Sequence, residues 1–406
     1  MRNVIFCAPF AQFPATRRFA RALAQLEGVR LLGIFQQPPT GEAQRWFADT
    51  AIVADTLDSR QLIAAATRLS AQHGTIFRAV GILENMQDAL ADVRAHFGLP
   101  GPTPATTARF RDKALMKTTL ARAGLPVAEH RLLESADDAR WFARKHGFPI
   151  ILKPPAGAGC KATYRCDDPT QLEAALRESQ PSKARAVLAE EFLQGSEYSF
   201  ETICIEGIPR FVSISRYFPG PLEVVRNPHL QWVCLLPRDI SGPQWEAARA
   251  MGLAAVTRLG MGTGLTHMEW FERPDGRLAI GEIAMRPPGA QIVSLMGWAH
   301  DTDMYRAWAR AVIDHAFDGP WERKYAVACC YLRGAGRGRI VAVDGLDEAQ
   351  RAIGSLVVDS KLPEVGAMKS DSYEGDGYAI LRHPDTATVA AAARTLIETV
   401  RVRYSG

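Results

Sequence analysis

Along the first hundred residues, short apolar runs alternate with segments of helical spacing. Val4–Ala8, Val29–Phe35, Ala51–Ala54 and Ile76–Leu83 have the length and composition of strands. Thr16–Leu26, Ser59–Gln72 and Asn85–Phe97 place apolar residues three and four apart, as helices do. Strands and helices in strict alternation predict a parallel sheet covered by helices. The turn after the first strand, Cys7-Ala8-Pro9-Phe10, lacks the glycines of a dinucleotide fingerprint. This sheet is therefore not expected to hold NAD.

The Pro-rich stretch Leu99–Pro104 breaks the pattern and marks a first boundary. Asp112 follows as an N-cap for a helix running to Ala123 and stopped by Gly124. A second helix, Ala136–His146, is closed by Gly147. The strand Ile150–Lys153 then leads into the loop Pro154–Cys160, and Leu188–Phe192, Tyr198–Ile205 and Phe211–Ser215 are further strands. Gln244–Leu259 and Asp303–His315 have helical spacing, while Leu265–Phe271 and Leu278–Ala284 frame a hairpin. After Gly319-Pro320 the last 86 residues read as short strands and a final helix, Ala387–Val402.

Composition narrows the class. The chain has 406 residues, too many for one ordinary core, with 47% apolar and 23% charged residues, as in soluble globular proteins. A net charge of +4 without a long basic run gives no reason to expect nucleic acid. The run Arg333-Gly334-Ala335-Gly336-Arg337-Gly338-Arg339 lacks interleaved aromatics and reads as a glycine turn with solvated arginines. The apolar start is interrupted by Pro9 and Gln12, a strand rather than a secretory signal, and no run reaches the ~20 residues of a membrane helix. Seven cysteines without CxxC spacing suit reduced thiols in the cytoplasm.

The hairpin carries the first chemical signal. A two-residue loop at Asp275-Gly276, or a four-residue loop over Pro274–Arg277, pairs residues whose numbers sum to 551. Glu269 then opposes Glu282, and His267 opposes Ala284. Strand alternation puts His267, Glu269, Glu282 and Arg286 on one face. Two carboxylates ~5 Å apart repel by roughly 3 kcal/mol at an effective dielectric of 20. A hard divalent cation such as Mg²⁺ would reconcile them, with Arg286 a fork for phosphate or carboxylate. The competing reading is a solvated face, and a three-residue bulged loop would split the two glutamates onto opposite faces.

Four further segments are weaker taken singly. Lys153 ends an apolar strand just before Gly157 and Gly159, where a lysine and close-approaching backbone suit phosphates, although GxxxxGK[ST] is absent. An ordinary flexible loop explains the same residues. Lys113 sits in the first turn of its helix, where the dipole disfavours a cation unless an anion or Asp112 offsets it. Glu190-Glu191-Phe192-Leu193 joins two strands through a linker whose free backbone groups suit a flat heterocycle, and Glu197 could accept ribose hydroxyls. A polar surface crossover is the alternative.

In this order over about two hundred residues, these signals resemble the ATP-grasp superfamily. The resemblance is closer to its carboxylate–amine ligase branch, which includes L-amino-acid (dipeptide) ligases. It implies an α/β chain: an N-terminal pre-ATP-grasp parallel-sheet domain (1–108), a two-lobed nucleotide clamp (109–187 with the Gly-rich lid, 188–320 with the metal site) and a small C-terminal α+β domain (321–406). Arg109–Lys113 resembles the start of the clamp, Ile151–Pro154 the second lysine before its lid, and Glu190–Leu193 the adenine hinge. His267-x-Glu269 and Glu282-x-x-x-Arg286-Pro287 resemble the metal-ligand strands.

By that resemblance Lys113 and Lys153 would neutralise the phosphates of ATP beneath Gly157 and Gly159. Glu190, Phe192 and Leu193 would flank the adenine, and Glu197 would hold the ribose. Glu269 and Glu282 would bind Mg²⁺, and Arg286, with Lys153, would act on the transferred phosphate. The family's Glu-x-Asn-x-Arg has Ala284 in its middle position here, so one metal ligand is missing. Ser215–Asp239, with Arg216, Asn227 and His229, resembles the variable substrate loop, and His229, His267 and Arg216 become candidate substrate contacts. The implied partners are small carboxylates and amines, amino acids first, with no nucleic acid or membrane and a homodimer left open. The implied reaction activates the carboxylate as an acyl phosphate for attack by the amine, releasing ADP and phosphate. Such a site needs no thiol nucleophile, and Cys160 in the lid has no neighbouring base. Other ATP-grasp chemistry, a carboxylase or a formate-using purine enzyme, and a nucleotide-binding module without turnover are the alternatives.

Overall fold

The computed structural model describes residues 1–157 and 162–406. Its N-terminal part is a four-stranded parallel sheet in the order Asp49–Ile52, Val29–Phe35, Arg2–Cys7, Ile76–Val80. Helices Pro14–Ala24, Ser59–His73 and Gln87–Phe97 cover it. The Ile76 strand stops at Val80, short of the predicted Leu83. Beyond it the chain turns through the 3-10 segment Glu84–Met86, which carries Glu84 towards the rest of the molecule.

Helix Pro104–Arg111, not apparent from the Pro-rich composition, is capped by Thr103 and starts on Pro104. Asp112 then caps Lys113–Arg122 by accepting from the Ala114 and Leu115 amides. A second, antiparallel sheet has the order His130–Leu133, Val187–Glu191, Ile150–Lys153, Tyr164–Cys166. Helices Ala136–His146 and Pro169–Ser179 bury Phe142 and Leu172 against it.

The largest sheet has eight strands. Leu278–Ala284, Gly264–Glu272, Ser196–Ile205, Ile208–Phe218 and Trp232–Leu236 continue into Ala326–Leu332, Gly377–His383 and Val357–Lys361. The last 86 residues therefore share a sheet with the segment before Gly319-Pro320, and only Ile340–Asp344 and Arg401–Tyr404 pair apart from it. The stretch expected as a loop, Ser215–Asp239, is largely ordered structure. It holds the end of the Ile208–Phe218 strand, a short helix Pro221–Arg226 and the fully buried strand Trp232–Leu236.

The hairpin register is reached by an unexpected route. Arg273 and Arg277 close a three-residue loop, Pro274-Asp275-Gly276, with Gly276 left-handed at φ 78°. Pairs beside the turn sum to 550, as in Phe271 with Ala279, and a bulge at Gly281 then restores 551. The bulge undoes the slip that a three-residue loop would otherwise impose. Glu269 pairs with Glu282 and His267 with Ala284.

Candidate active site

One cavity of about 1850 Å³ lies between the two antiparallel sheets and reaches the N-terminal part of the molecule. Lys113, Lys153, Gly157, Glu190, Phe192, Leu193, Glu197, Arg216, His267, Glu269, Glu282 and Arg286 all line it. Gly159 falls outside the described residues, as does Cys160. His229 is exposed beyond the Pro221–Arg226 helix and does not line the cavity.

At one end the chain leaves the small sheet at Glu191 and passes through Phe192 and Leu193. Leu193 packs with Ala128, Ala279 and Phe271, and the guanidinium of Arg165 lies 4.2 Å from the centre of the Phe192 ring. Phe192, Leu193, Phe271 and Ile151 give this part of the cavity an apolar wall. Glu197 stands beside it against Gly220, where a Cβ would come within 2.2 Å of its Oε2. Burial, and next the charge of Glu269, push the Glu197 carboxyl well above its ordinary value.

The centre is a buried charge cluster. Lys153 Nζ lies 2.9 Å from Glu190 Oε2, and Lys117 Nζ lies 3.4 Å from Oε1 of the same carboxylate. Lys117 also donates to the Gly281 carbonyl at 2.5 Å, so the bulge that restores the hairpin register is fixed by a lysine from another element. Glu190 was expected to act through its backbone at the hinge. Instead its backbone belongs to the sheet, and its carboxylate holds two lysines in place. Burial opposes every charge here. It pulls Lys117 below its ordinary value despite Glu190, whereas Glu190, Glu282 and Glu269 overcome it for Lys153 and raise it. Glu190 is held low because the two ammonium groups outweigh its desolvation. Its Oε1 has no hydrogen-bonding donor among the described residues, since Lys117 is near but misaligned.

Beyond the lysines, Lys113 Nζ reaches Glu282 Oε1 at 3.0 Å and the Gly157 carbonyl at 2.9 Å, joining the large sheet to the start of the lid. The anion that its place in the first helical turn calls for is Glu282. Glu269 faces the same cavity. His267, paired at 2.9 Å with the fully buried Glu201, places Nε2 3.7 Å from Glu269 Oε1. Burial alone would lower His267, but the two carboxylates lift it to about 8. His267, Arg286 and Lys153 in turn hold Glu269 low against its own burial.

No group of three or more His, Cys, Asp or Glu side chains is arranged for a metal among the described residues. Ala284, opposite His267, adds no donor. The pair Glu269 and Glu282 still fits Mg²⁺, which commonly takes one or two carboxylates and completes its octahedron with phosphate oxygens and water.

Arg286 is positioned from a distance of 202 residues. Its Nε lies 3.1 Å from Glu84 Oε2, and the other oxygen of Glu84 lies 3.0 Å from Arg111. Pro287 follows, and Ala290 and Gln291 both adopt left-handed backbone at φ 54° and 60°. That conformation is costly for residues with a side chain. It is held by the Tyr331 hydroxyl on the Ala290 carbonyl and by Arg18 on the Gln291 side chain.

Sequence reasoning missed Lys117, Glu84 and Glu201. For Lys117 a signal exists, since it lies four residues after Lys113 and hence on the same helix face. Nothing local in the sequence distinguishes Glu84 or Glu201 from surface acids.

Residues 118–299 match the family model described as the ATP-grasp domain. The chain is 28% identical over 206 residues to the L-arginine-specific L-amino acid ligase of Bacillus subtilis, covering 49% of each chain. It is 35% identical over 184 residues to a D-alanine--D-alanine ligase of Desulforudis audaxviator, covering 40% of this chain and 58% of that one. The matches thus span about half the length of these curated relatives. The L-amino acid ligase of Bacillus licheniformis superposes with a TM-score of 0.82 at 18% identity, over 100% of this chain and 99% of that one, a likeness of fold. The segment 118–299, which supplies Lys153, Glu190, Glu269, Glu282 and Arg286 to one cavity, is an ATP-grasp domain.

Proposed function

We propose that the chain joins a carboxylate to an amine through an acyl phosphate, with ADP and phosphate as products. The observation that carries this reading is the meeting in one cavity of an apolar wall, two lysines, a carboxylate pair and an arginine. In this reading Phe192 and Leu193 flank the adenine and Glu197 accepts from the ribose. Lys113 and Lys153 neutralise phosphate oxygens, with Lys153 aimed by Glu190. Mg²⁺ held by Glu269 and Glu282 would supply further neutralisation of the phosphates. Arg286 orients the transferred group and its acceptor carboxylate. A carboxylate oxygen attacks the γ-phosphorus and the bond to ADP breaks. The amine nitrogen then attacks the acyl carbon, phosphate leaves, and the nitrogen loses a proton. Such a reaction needs positioning and charge compensation rather than a protein nucleophile. Consistent with that, none of the described cysteines lines the cavity, and burial raises the pKa of each.

Chromatography of the nucleotides after turnover with ATP, Mg²⁺ and pairs of amino acids tests the reaction class. ADP formed only when an acid is present is the expected result; stoichiometric AMP would replace the acyl phosphate with an adenylate. Glu282→Gln should reduce turnover at least about 100-fold, the scale of losing one preorganised electrostatic group. Its melting temperature should stay close to that of the parent, because Glu282 is partly exposed. Activity surviving at millimolar Mg²⁺ would move the catalytic ion elsewhere.

A further inference from the structure

A second, smaller cavity adjoins the first at Arg286 and Pro287, which line both. Its other walls come from the strand Ile76–Val80, from Pro100–Pro102 and from Met261–Leu265. Pro100 and Gly101 are exposed, so small solutes can reach it. Its volume is about 190 Å³. Pockets for drug-sized ligands begin at roughly 300 Å³, whereas a single water needs only about 10–15 Å³. The space therefore suits a small ion and its waters rather than a nucleotide.

Its charge is one-sided. Arg78, Arg94, Arg286 and His315 line it, and no Asp or Glu among the described residues does. Arg286 is matched by Glu84, and His315 turns Nδ1 to Glu206 at 3.0 Å. The other two cations meet only neutral groups. Arg94, 7% exposed, donates Nε to the Ala79 carbonyl and Nη1 to the Pro102 carbonyl, each at 3.1 Å. Its Nη2 has no acceptor among the described residues. Arg78 donates Nη1 to the Phe77 carbonyl at 3.0 Å and lies with Nη2 3.2 Å from His315 Nε2. Asp314, beside His315, is taken by Arg2. Burial pulls the Arg94 guanidinium down to about 10, and the nearby Cys7 thiol offsets only part of that. Burial lowers Arg78 too, and the charge of Arg2 adds to the effect. No carboxylate opposes either shift. A guanidinium held out of water without a counter-charge is costly, and two at one small cavity repel each other as well.

From these two arginines we infer that the second cavity binds a small oxyanion, of the phosphate or carboxylate class, held by the guanidiniums of Arg78 and Arg94. The planar fork of arginine matches both kinds of anion. Thr263 adds a donor: it lines the cavity and accepts the Glu206 amide at 2.9 Å, and its own hydroxyl proton has no acceptor among the described residues. The inference does not depend on the ligase reading.

Calorimetric titration of the full-length protein with inorganic phosphate, and separately with acetate, at constant ionic strength tests the site. Binding of one or both to the parent is expected, with phosphate alone naming the phosphate class and acetate alone the carboxylate class. Arg78→Met should weaken it at least about tenfold, the scale of one charge-assisted contact. Arg78 is partly exposed and methionine keeps much of its length, so the variant should fold. Lys153→Ala separates this site from the first cavity and should leave the Arg78-dependent binding unchanged. Gly262→Glu gives a second measurement, because Gly262 lines the second cavity and a Cβ there meets no atom within 4 Å. The new carboxylate would take the place of the anion, so binding should again weaken at least tenfold while the melting temperature holds or rises. A parent that takes up neither anion overturns the inference, as does binding that survives unweakened in Arg78→Met. Binding abolished by Lys153→Ala and kept in Arg78→Met would place the anion in the first cavity instead.

Discussion

Replacing Glu190 with glutamine should cost about 3–5 kcal/mol of stability, the range for breaking a buried ion pair by removing one partner. Few single changes elsewhere in the molecule would match it. Glu190 is the one carboxylate that both Lys117 and Lys153 contact, and the Lys117 side chain is fully buried. An amide keeps the shape but leaves two ammonium groups facing each other, that of Lys117 fully buried. Lys117, already pulled down by burial, would then lose the charge that most favours its protonated form. Urea unfolding of the parent and the variant measures the loss. The double variant Glu190→Gln/Lys117→Met should recover part of it, because the fully buried ammonium is then gone and only Lys153 is left without its carboxylate. A single variant as stable as the parent would mean that the two lysines do not depend on this carboxylate.

The same cluster marks where the sequence is legible and where it is not. The parallel sheet was readable because each strand is a short apolar run with a helix on either side, a local pattern. The faces of Glu269, Glu282 and Arg286 were readable because strand alternation needs only a register, and Asp275-Gly276 narrows the register to a few choices. Even so, the loop has three residues, not two or four, and Gly281 supplies the bulge that makes the pairing come out the same. Trp232–Leu236 was lost inside an expected loop because five apolar residues after a Pro- and Asn-containing stretch carry no period of their own. Ile292–His300 was lost for the opposite reason. It is apolar on nearly every face, and its cap is a left-handed Gln291 rather than a Ser, Thr or Asp. Side-chain partners were the least legible. Lys117 and Gly281 are 164 residues apart, and Glu84 and Arg286 are 202 apart. Such pairings follow from how sheets pack across a cavity, which no window of sequence contains.

Arg286→Met should lower kcat by about 10³-fold or more while leaving ATP affinity within a few-fold of the parent. In the proposed reaction the arginine stabilises charge that develops on the transferred group, the task for which arginines supplied to phosphoryl transfer are worth 10³–10⁵. In that proposal ground-state binding of the nucleotide rests on the hinge and the lysines instead, so the loss belongs in kcat rather than in Kd. Glu84 separates this role from a merely structural one. It touches Arg286 at Nε and is itself anchored by Arg111, so Glu84→Gln keeps an acceptor oxygen for only one of the two arginines and loses the charge that aims both. Its effect should be smaller than that of Arg286→Met, about 10- to 100-fold in kcat, as for outer-shell partners of a reactive group. It should also be non-additive with it, because the cavity-facing arginine that Glu84 orients is already gone in Arg286→Met. Steady-state kinetics of the two single variants and the double, with ATP binding followed by calorimetry, read out both statements. Losses that multiply independently would detach Glu84 from the arginine, and a collapse of ATP affinity in Arg286→Met would move Arg286 from the transferred phosphate to the binding of the nucleotide.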